Sequence, residues 1–321
     1  MKTALIGLGR IGWQYHLPQI VKHEGFELAA VVDTNPERLR EAEVAYGVRG
    51  YADAAEMLVK EAPELVVVAS PTVFHRQHAM DALRAGAHVF LDKPMACSLS
   101  EAREIVDRVR ACNRKLMVYQ PHRATAEAVA ARQVLESGLL GRVYMIRRAS
   151  NGYNRRADWQ AFEKNGGGML SNYGAHYIDQ LLYLTGGVPE EVRCWRMREV
   201  SLGDADDVVK VIIRTANGPL LDVDISQAAA LSAESWLLLG TLGAAKLEKT
   251  DEGARFLVRY LKPDELPPLE ADGRLLAKGR RYDQDGTLPW RSECVPVRPE
   301  IPGMRSVCLR VQLYNEGDHP V

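Results

Sequence analysis

Nothing in these 321 residues approaches the roughly 18 consecutive apolar residues of a membrane span. The opening "MKTALIGLGR" imitates a secretion signal only until Arg10 interrupts it, so a cytoplasmic protein is expected. An excess of one charge is missing too: 41 Lys and Arg stand against 42 Asp and Glu, a net charge of -1. With no basic cluster, no field is available to hold nucleic acid or an anionic membrane, and neither is an expected partner. The five cysteines, Cys97, Cys112, Cys194, Cys294 and Cys308, are odd in number and never spaced C-x-x-C. That pattern argues against a disulfide framework or a zinc site and for reduced thiols. There is no internal repeat and no low-complexity segment.

What is present is an ordinary globular composition, 46% hydrophobic and 26% charged, in a chain long enough for about two domains. Up to Arg123 short β-branched runs ("TALIGLG", "LAAVVD", "LVVVAS", "HVFLD", "KLMVYQ") alternate with helical segments. Such alternation predicts βαβ units and a doubly wound parallel sheet over 1–123. "DAAE" from Asp53 and "SLSE" from Ser98 match the capping box that opens a helix, and Gly25 and Gly86 stand where helices stop. Residues 124–321 read differently: one helix ending near Gly138, then strands alternating like "LLDVDIS", where Leu221, Val223 and Ile225 oppose Asp222, Asp224 and Ser226. The expectation is a second α/β domain whose sheet has one wet face. Residues 263–302 hold seven of the 16 prolines and are expected to form an irregular arm outside that sheet.

"ALIGLGRIG" sets Gly7, Gly9 and Gly12 in G-x-G-x-x-G register between a strand and a helix. The first glycine permits a tight turn, the second lets backbone approach a pyrophosphate at the positive helix end, and the third allows close helix–strand packing. About 20 residues on, "LAAVVD" ends in Asp33, placed to accept hydrogen bonds from an adenosine ribose. Because a carboxylate repels a 2'-phosphate, NAD is favoured over NADP, with Arg38 the residue that could admit the phosphate. Ser70, Pro71 and Thr72 follow the strand "LVVVA" and fall beside the cofactor. His75 and His78 form an H-x-x-H pair without a third ligand nearby in sequence, which fits cofactor-edge histidines better than a metal. "HVFLDKPMA" ends another parallel strand in Asp92 and Lys93, on the side of the sheet where ligands sit.

Taken in order, "GLGRIG", "VVD", "SPTVFH", "AGAHVFLDKP", "GLLGRV" and "GGGMLSNYGAHYID" resemble the glucose-fructose oxidoreductase and inositol dehydrogenase (Gfo/Idh/MocA) family over most of the chain. The resemblance implies a Rossmann domain followed by an α/β domain with an open, largely antiparallel sheet. It also implies oxidation of a sugar or polyol by NAD or NADP in the cleft between them. The cofactor set it suggests adds Arg10, Ile11, Thr34, His75, Asp92, Lys93 and Gln120. The family's E-K-P is here Asp92-Lys93-Pro94, with Lys93 matching the active-site lysine. Its D-x-x-x-H falls on Asn172 and His176, so the carboxylate is absent and the imidazole kept.

Oxidising a secondary alcohol needs a hydride acceptor, a base for the hydroxyl proton and donors where oxygen becomes alkoxide-like. The expected roles are His176 as base, Lys93 as the donor that orients the oxygen, and Asn172 as a neutral hydrogen-bonding group. At about 100° per residue, positions 172, 176 and 179 share a helix face, so Asp179 could also point into the cleft. Without a carboxylate at 172, His176 is expected to titrate close to 6.5. "QPHRAT" suggests His122 and Arg123 at the substrate, and "NGYNRRADWQ" offers Asn151, Tyr153, Arg155, Arg156 and Trp159, aromatic and polar groups suited to a sugar ring. The competing functions are a tightly NAD-bound enzyme that oxidises a sugar transiently to permit elimination or hydrolysis, and a cofactor-binding sensor without turnover. A one-faced sheet in the second domain suggests a homodimer or homotetramer formed through it. "VCLRVQLYNEGDHPV" resembles the segment before the family's last helix, which the chain does not reach.

Overall fold

The computed structural model describes residues 1–268 and 287–298. A six-stranded parallel sheet comprises β1 (Lys2–Ile6), β2 (Glu27–Val32), β3 (Arg49–Tyr51), β4 (Leu65–Val68), β5 (His88–Leu91) and β6 (Leu116–Val118), in spatial order β3-β2-β1-β4-β5-β6. Between these strands run α1 (Leu17–Lys22), α2 (Pro36–Tyr46), α3 (Ala54–Glu61), α4 (His75–Arg84) and α5 (Leu99–Ala111). Strand residues alternate between two cores, as a sheet covered on both faces requires. Ala4, Ile6, Val66 and Val68 pack with Met57, Leu83 and Ile105 on one side. Leu5, Val31, Val67 and Phe90 pack with Leu17, Ile20 and Ala42 on the other. The helix starts follow the sequence signals: Asp53 and Ser98 accept from the backbone N–H of Glu56 and Glu101.

After α6 (Ala126–Glu136) comes an eight-stranded mixed sheet of β7 (Val143–Asn151), β8 (Val188–Met197), β9 (Val208–Ala216), β10 (Leu220–Ser226), β11 (Trp236–Gly240), β12 (Gly243–Thr250), β13 (Gly253–Tyr260) and β14 (Arg291–Pro296). Its order is β14-β13-β12-β11-β7-β10-β9-β8, antiparallel except where β10 lies parallel to β7. α7 (Ala175–Thr185) and α6 cover one face, burying Tyr177 and Leu181 against Ile146, Val223, Trp236 and Phe256. The opposite face has no helix over it among the described residues. It carries half-buried Met145, Ile212, Leu220, Leu237 and Leu239.

Two expectations change here. Residues 291–296 do join the sheet, as β14 paired antiparallel with β13 from Tyr260↔Arg291 to Arg255↔Pro296. Pro296 is tolerated because it closes an edge strand, where a missing donor removes no ladder bond on the free side. Asp222, read as a wet-face residue, is 4% exposed, because Arg147 and Lys210 close over it in ion pairs. The segment after residue 298, with its missing-helix reading and Cys308, lies outside the described residues.

Candidate active site

A cleft of about 1100 Å³ runs between the two sheets and brings together most residues singled out above. On the first-domain wall stand Gly7, Gly9, Arg10, Ile11, Asp33, Arg38, Ser70, Pro71, Thr72, His75, Asp92 and Lys93. Facing them are Arg156, Trp159, Asn172 and His176, with the glycines Gly166 to Gly168 between. Thr34 and Gln120 are off the wall, and Gln120 Nε2 donates to Ala175 O at 3.4 Å.

The glycine turn fits a dinucleotide for a steric reason. A Cβ on Gly12 would lie 1.9 Å from Gly7 O, so the helix can touch the strand turn only without one. A Cβ on Gly9 would meet nothing within 4 Å, which leaves the open approach that a pyrophosphate needs. Gly12–His16 forms a π-helical turn before α1, with Leu17 N–H bonding back to Gly12 O. Asp33 accepts from Leu8 N–H at 2.8 Å and Asn35 N–H at 2.9 Å, which fixes its carboxylate at the end of β2. Arg38 sits 3.3 Å from it. The residues present therefore suit a dinucleotide with a free ribose hydroxyl.

Lys93 crosses the cleft. Its Nζ donates to both the backbone O and Oδ1 of Asn172 at 2.9 Å, joining the two domains. Of the three ammonium donors, one remains. Burial lowers the lysine pKa, opposed by Asp92 and helped by Arg10 and Arg156. The Asp92 carboxyl is itself pushed up to about 6 by burial, against the pull of Lys93. Asn172 in turn donates to Gln160 Oε1 at 3.3 Å, and Arg156 donates to the same oxygen. Gln160 carried no signal in the sequence, since its place comes from the tight turn around Gly167, where a Cβ would lie 2.2 Å from Gln160 O.

His176 departs from its expected titration. Burial first, then Lys93 and His122, lower it to about 2. Its ring stacks on His122 with centroids 3.9 Å apart and planes 13° from parallel. His122 is lowered to about 4, chiefly by burial. The Nδ1 atoms of both rings are enclosed without a hydrogen-bond partner. Each such orphan costs about 1–3 kcal/mol, which a ligand atom can recover. The stacked partner could not be foreseen, because 54 positions separate the two rings and no short-range pattern links them.

Asp179 does not enter the cleft. It forms a bidentate pair with Arg123, at 2.8 and 2.6 Å, and neither lines the wall. Sharing a helix face with His176 is not enough: Asp179 lies a turn further along α7, where Arg123 takes its carboxylate, while Asn172, within the π-helical turn Leu170–Gly174, and His176, just after it, reach the cleft. Asn151 also lies elsewhere, its Nδ2 donating to Asp224 Oδ1. Tyr153 bridges to Ala228 and is 62% exposed, and Arg155 is exposed. His78 Nδ1 meets Ser70 Oγ at 2.9 Å. Among the described residues no group of three or more His, Cys, Asp and Glu could hold a metal ion, and no helix is long and apolar enough to cross a membrane.

A glycine turn open to a pyrophosphate, a carboxylate held at the end of β2 and a half-buried lysine at an interdomain cleft are the features of a Rossmann-type dinucleotide-binding protein. Family models agree. Residues 1–120 match the oxidoreductase family with an NAD-binding Rossmann fold, and residues 128–246 match the GFO/IDH/MocA C-terminal domain. The chain belongs to the Gfo/Idh/MocA family. It is 30% identical to D-glucoside 3-dehydrogenase of Escherichia coli K12 over 58% of this chain and 54% of that protein. Against scyllo-inositol 2-dehydrogenase (NADP(+)) IolW of Bacillus subtilis it is 27% identical, over 60% of this chain and 53% of that one. The chain thus spans little more than half the length of these curated relatives. Among solved structures, WlbA dehydrogenase of Bordetella pertussis in complex with NADH and UDP-GlcNAcA superposes with a TM-score of 0.69 and 27% identity, over 77% of this chain and 73% of that one.

Proposed function

We propose that this protein is an NAD-dependent dehydrogenase acting on a secondary hydroxyl of a sugar, glycoside or cyclic polyol. The observation that carries the reading is Lys93, half-buried at the cleft and held by Asn172 from the opposite domain. The bound nicotinamide supplies the hydride acceptor. As the neutral amine, favoured by its lowered pKa, Lys93 keeps its two N–H bonds to Asn172 and turns its lone pair to the substrate hydroxyl; it takes that proton, and the N–H so formed then donates to the oxygen. His176, neutral down to acid pH, hydrogen-bonds the substrate without adding charge. This exchanges the roles first expected of the two residues, because burial has removed the basicity of the imidazole. Asn172 positions Lys93, while Arg156 and Trp159 offer a donor and a ring face to the sugar.

The test follows reduced nicotinamide by absorbance across a panel of sugars, glycosides and inositols with added NAD. Steady accumulation is expected, and Lys93→Met lowers turnover by about a thousandfold while leaving NADH binding within about twofold. Wild-type turnover in that variant overturns the assignment. A second reading has one specific support: 2,7-anhydro-N-acetylneuraminate hydratase of Mediterraneibacter gnavus is 26% identical over 80% of this chain and 71% of that protein. A hydratase suits transient oxidation without net redox change, which would show as substrate conversion without accumulating NADH.

We also propose that a second copy of the chain covers the open sheet face, in a dimer or tetramer. Half-buried Leu237 and Leu239 on that face, with exposed Trp195 and Met197, support this. Leu239→Glu should yield a monomer by sedimentation, whereas a monomeric wild type contradicts the proposal.

A further inference from the structure

His75 opens α4 and is 1% exposed. Both ring nitrogens meet backbone carbonyl oxygens: Nδ1 lies 2.8 Å from Pro94 O, and Nε2 lies 2.8 Å from Ser70 O. Those oxygens belong to separate loops. Ser70 follows β4, and Pro94 follows β5 directly after Lys93, so both loops form the same cleft wall. With each nitrogen already engaged, the ring has no polar atom to offer a ligand. Its place on the wall is that of a tie between two loops.

We propose that His75 is the positioning residue of Lys93, a clasp that holds the backbone at Ser70 to the backbone at Pro94 and so fixes where the lysine enters the cleft. A carbonyl oxygen only accepts. A neutral imidazole has one N–H and bonds one of the two loops, whereas an imidazolium bonds both. The clasp therefore tightens when the ring gains its second proton. Several groups bear on that proton. Burial disfavours it most, the carbonyls of Pro94 and Ser70 favour it, and Lys93 on the β5 loop disfavours it; the balance lowers the pKa, so the clasp works through one donated N–H at neutral pH and gains the second in acid. From the same helix His78 faces the ring, held at Ser70 Oγ and kept toward its neutral form by burial. Beneath Lys93 lies the Asp92 carboxyl.

The role of His75 in turnover rests on the dehydrogenase reading, but the clasp itself can be tested without activity. Ring-nitrogen NMR on the wild type with NADH should show at least one His75 N–H protected from solvent exchange. Two freely exchanging ring protons overturn the proposal, with no variant needed. In His75→Phe, which keeps bulk and removes both donors, amide exchange over residues 95–98 should quicken by roughly tenfold. His75→Asn, whose amide can still donate to Pro94 O, should restore slow exchange. On a substrate found as above, His75→Phe should lower kcat by about tenfold or more with little change in KM, as a misplaced catalytic group does, and should move the pH limb assigned to Lys93. Equal impairment in the Phe and Asn variants reduces His75 to packing and overturns the clasp. If no substrate turns over in the wild type, the dehydrogenase reading fails, and the NMR and exchange results still decide the clasp.

Discussion

The two walls of the cleft are built from different materials. On the cofactor side the chain shows backbone: glycines packed against carbonyls, and a carboxylate pinned by two amide N–H groups. On the facing side it shows side chains linked in series, Asn172 to Gln160 to Arg156, with Lys93 reaching across from the first domain to join them. Both walls lead into their helices by a π-helical turn, Gly12–His16 in one and Leu170–Gly174 in the other. A wall of backbone suits what every dinucleotide shares, and at Gly7 and Gly12 there is no room for a Cβ. A wall of side chains can be rewritten one functional group at a time, which allows different members of a family to take different substrates on one frame. The sheets behind the walls differ in the same sense: the first is sealed by cores on both faces, and the second has a core on one face among the described residues.

The largest effect expected from this contrast is at Gly12. Gly12→Ala puts a Cβ into Gly7 O, and because backbone must move, NADH affinity should fall by on the order of a hundredfold. Retained affinity, measured by fluorescence titration, would show that the backbone wall is softer than its geometry implies.

Next in size is the acid dependence of stability, which both domains share. His16, in the first domain, is lowered to about 4 by burial, and His122 and His176 of the cleft to about 4 and about 2. Since an unfolded histidine titrates near 6.5, the unfolded chain binds protons below that pH that the folded chain refuses. The stability these groups contribute is complete above 6.5 and is lost as pH falls toward their folded values. Asp92, raised to about 6, acts oppositely between 6 and its ordinary 3.8. These four groups alone, three histidines against one carboxyl, give an uptake of about two protons on unfolding between pH 6 and 4, a slope of roughly 3 kcal/mol per pH unit, and His75, His78 and His88, also lowered by burial, act in the same direction. Urea titrations at stepped pH measure it. A flat profile would mean that the buried rings are charged in the native state.

The smallest effect is the most selective. Asn172→Asp sets a carboxylate against the Lys93 ammonium, which raises the lysine pKa. The rising limb of turnover against pH should move to higher pH by about one to three units, with NADH binding unchanged within about twofold. An unmoved limb would separate that limb from Lys93. If NADH affinity changes instead, the two walls are coupled.

The legible parts of the chain were those set by local spacing. Gly7, Gly9, Gly12 and Asp33 fall where the spacing put them, between β1, the helix that follows it and the end of β2, because a strand, a turn and a helix start are each encoded within a few residues. The caps at Asp53 and Ser98 were legible for the same reason. Asp179 was read into the cleft because a helix face was the only guide, whereas its partner is Arg123, 56 positions away; the π-helical turn before His176 was hidden likewise, since Asp206, 36 positions away, accepts the N–H of Leu170. β14 was hidden by prolines, since an edge strand needs fewer donors than composition alone suggests.

By itself the sequence determined the alternation of strands and helices, the glycine turn and its carboxylate, and the presence of Lys93, Asn172 and His176. These rest on periodicity, steric permission and residue chemistry, all short-range properties. Only the tertiary structure decided how these groups are surrounded: burial between the two domains lowers the pKa of both His176 and Lys93, and Lys93 is tied across the cleft to Asn172, which is what the proposed exchange of roles rests on. Desolvation depends on everything packed around a group, and no local stretch of sequence records that.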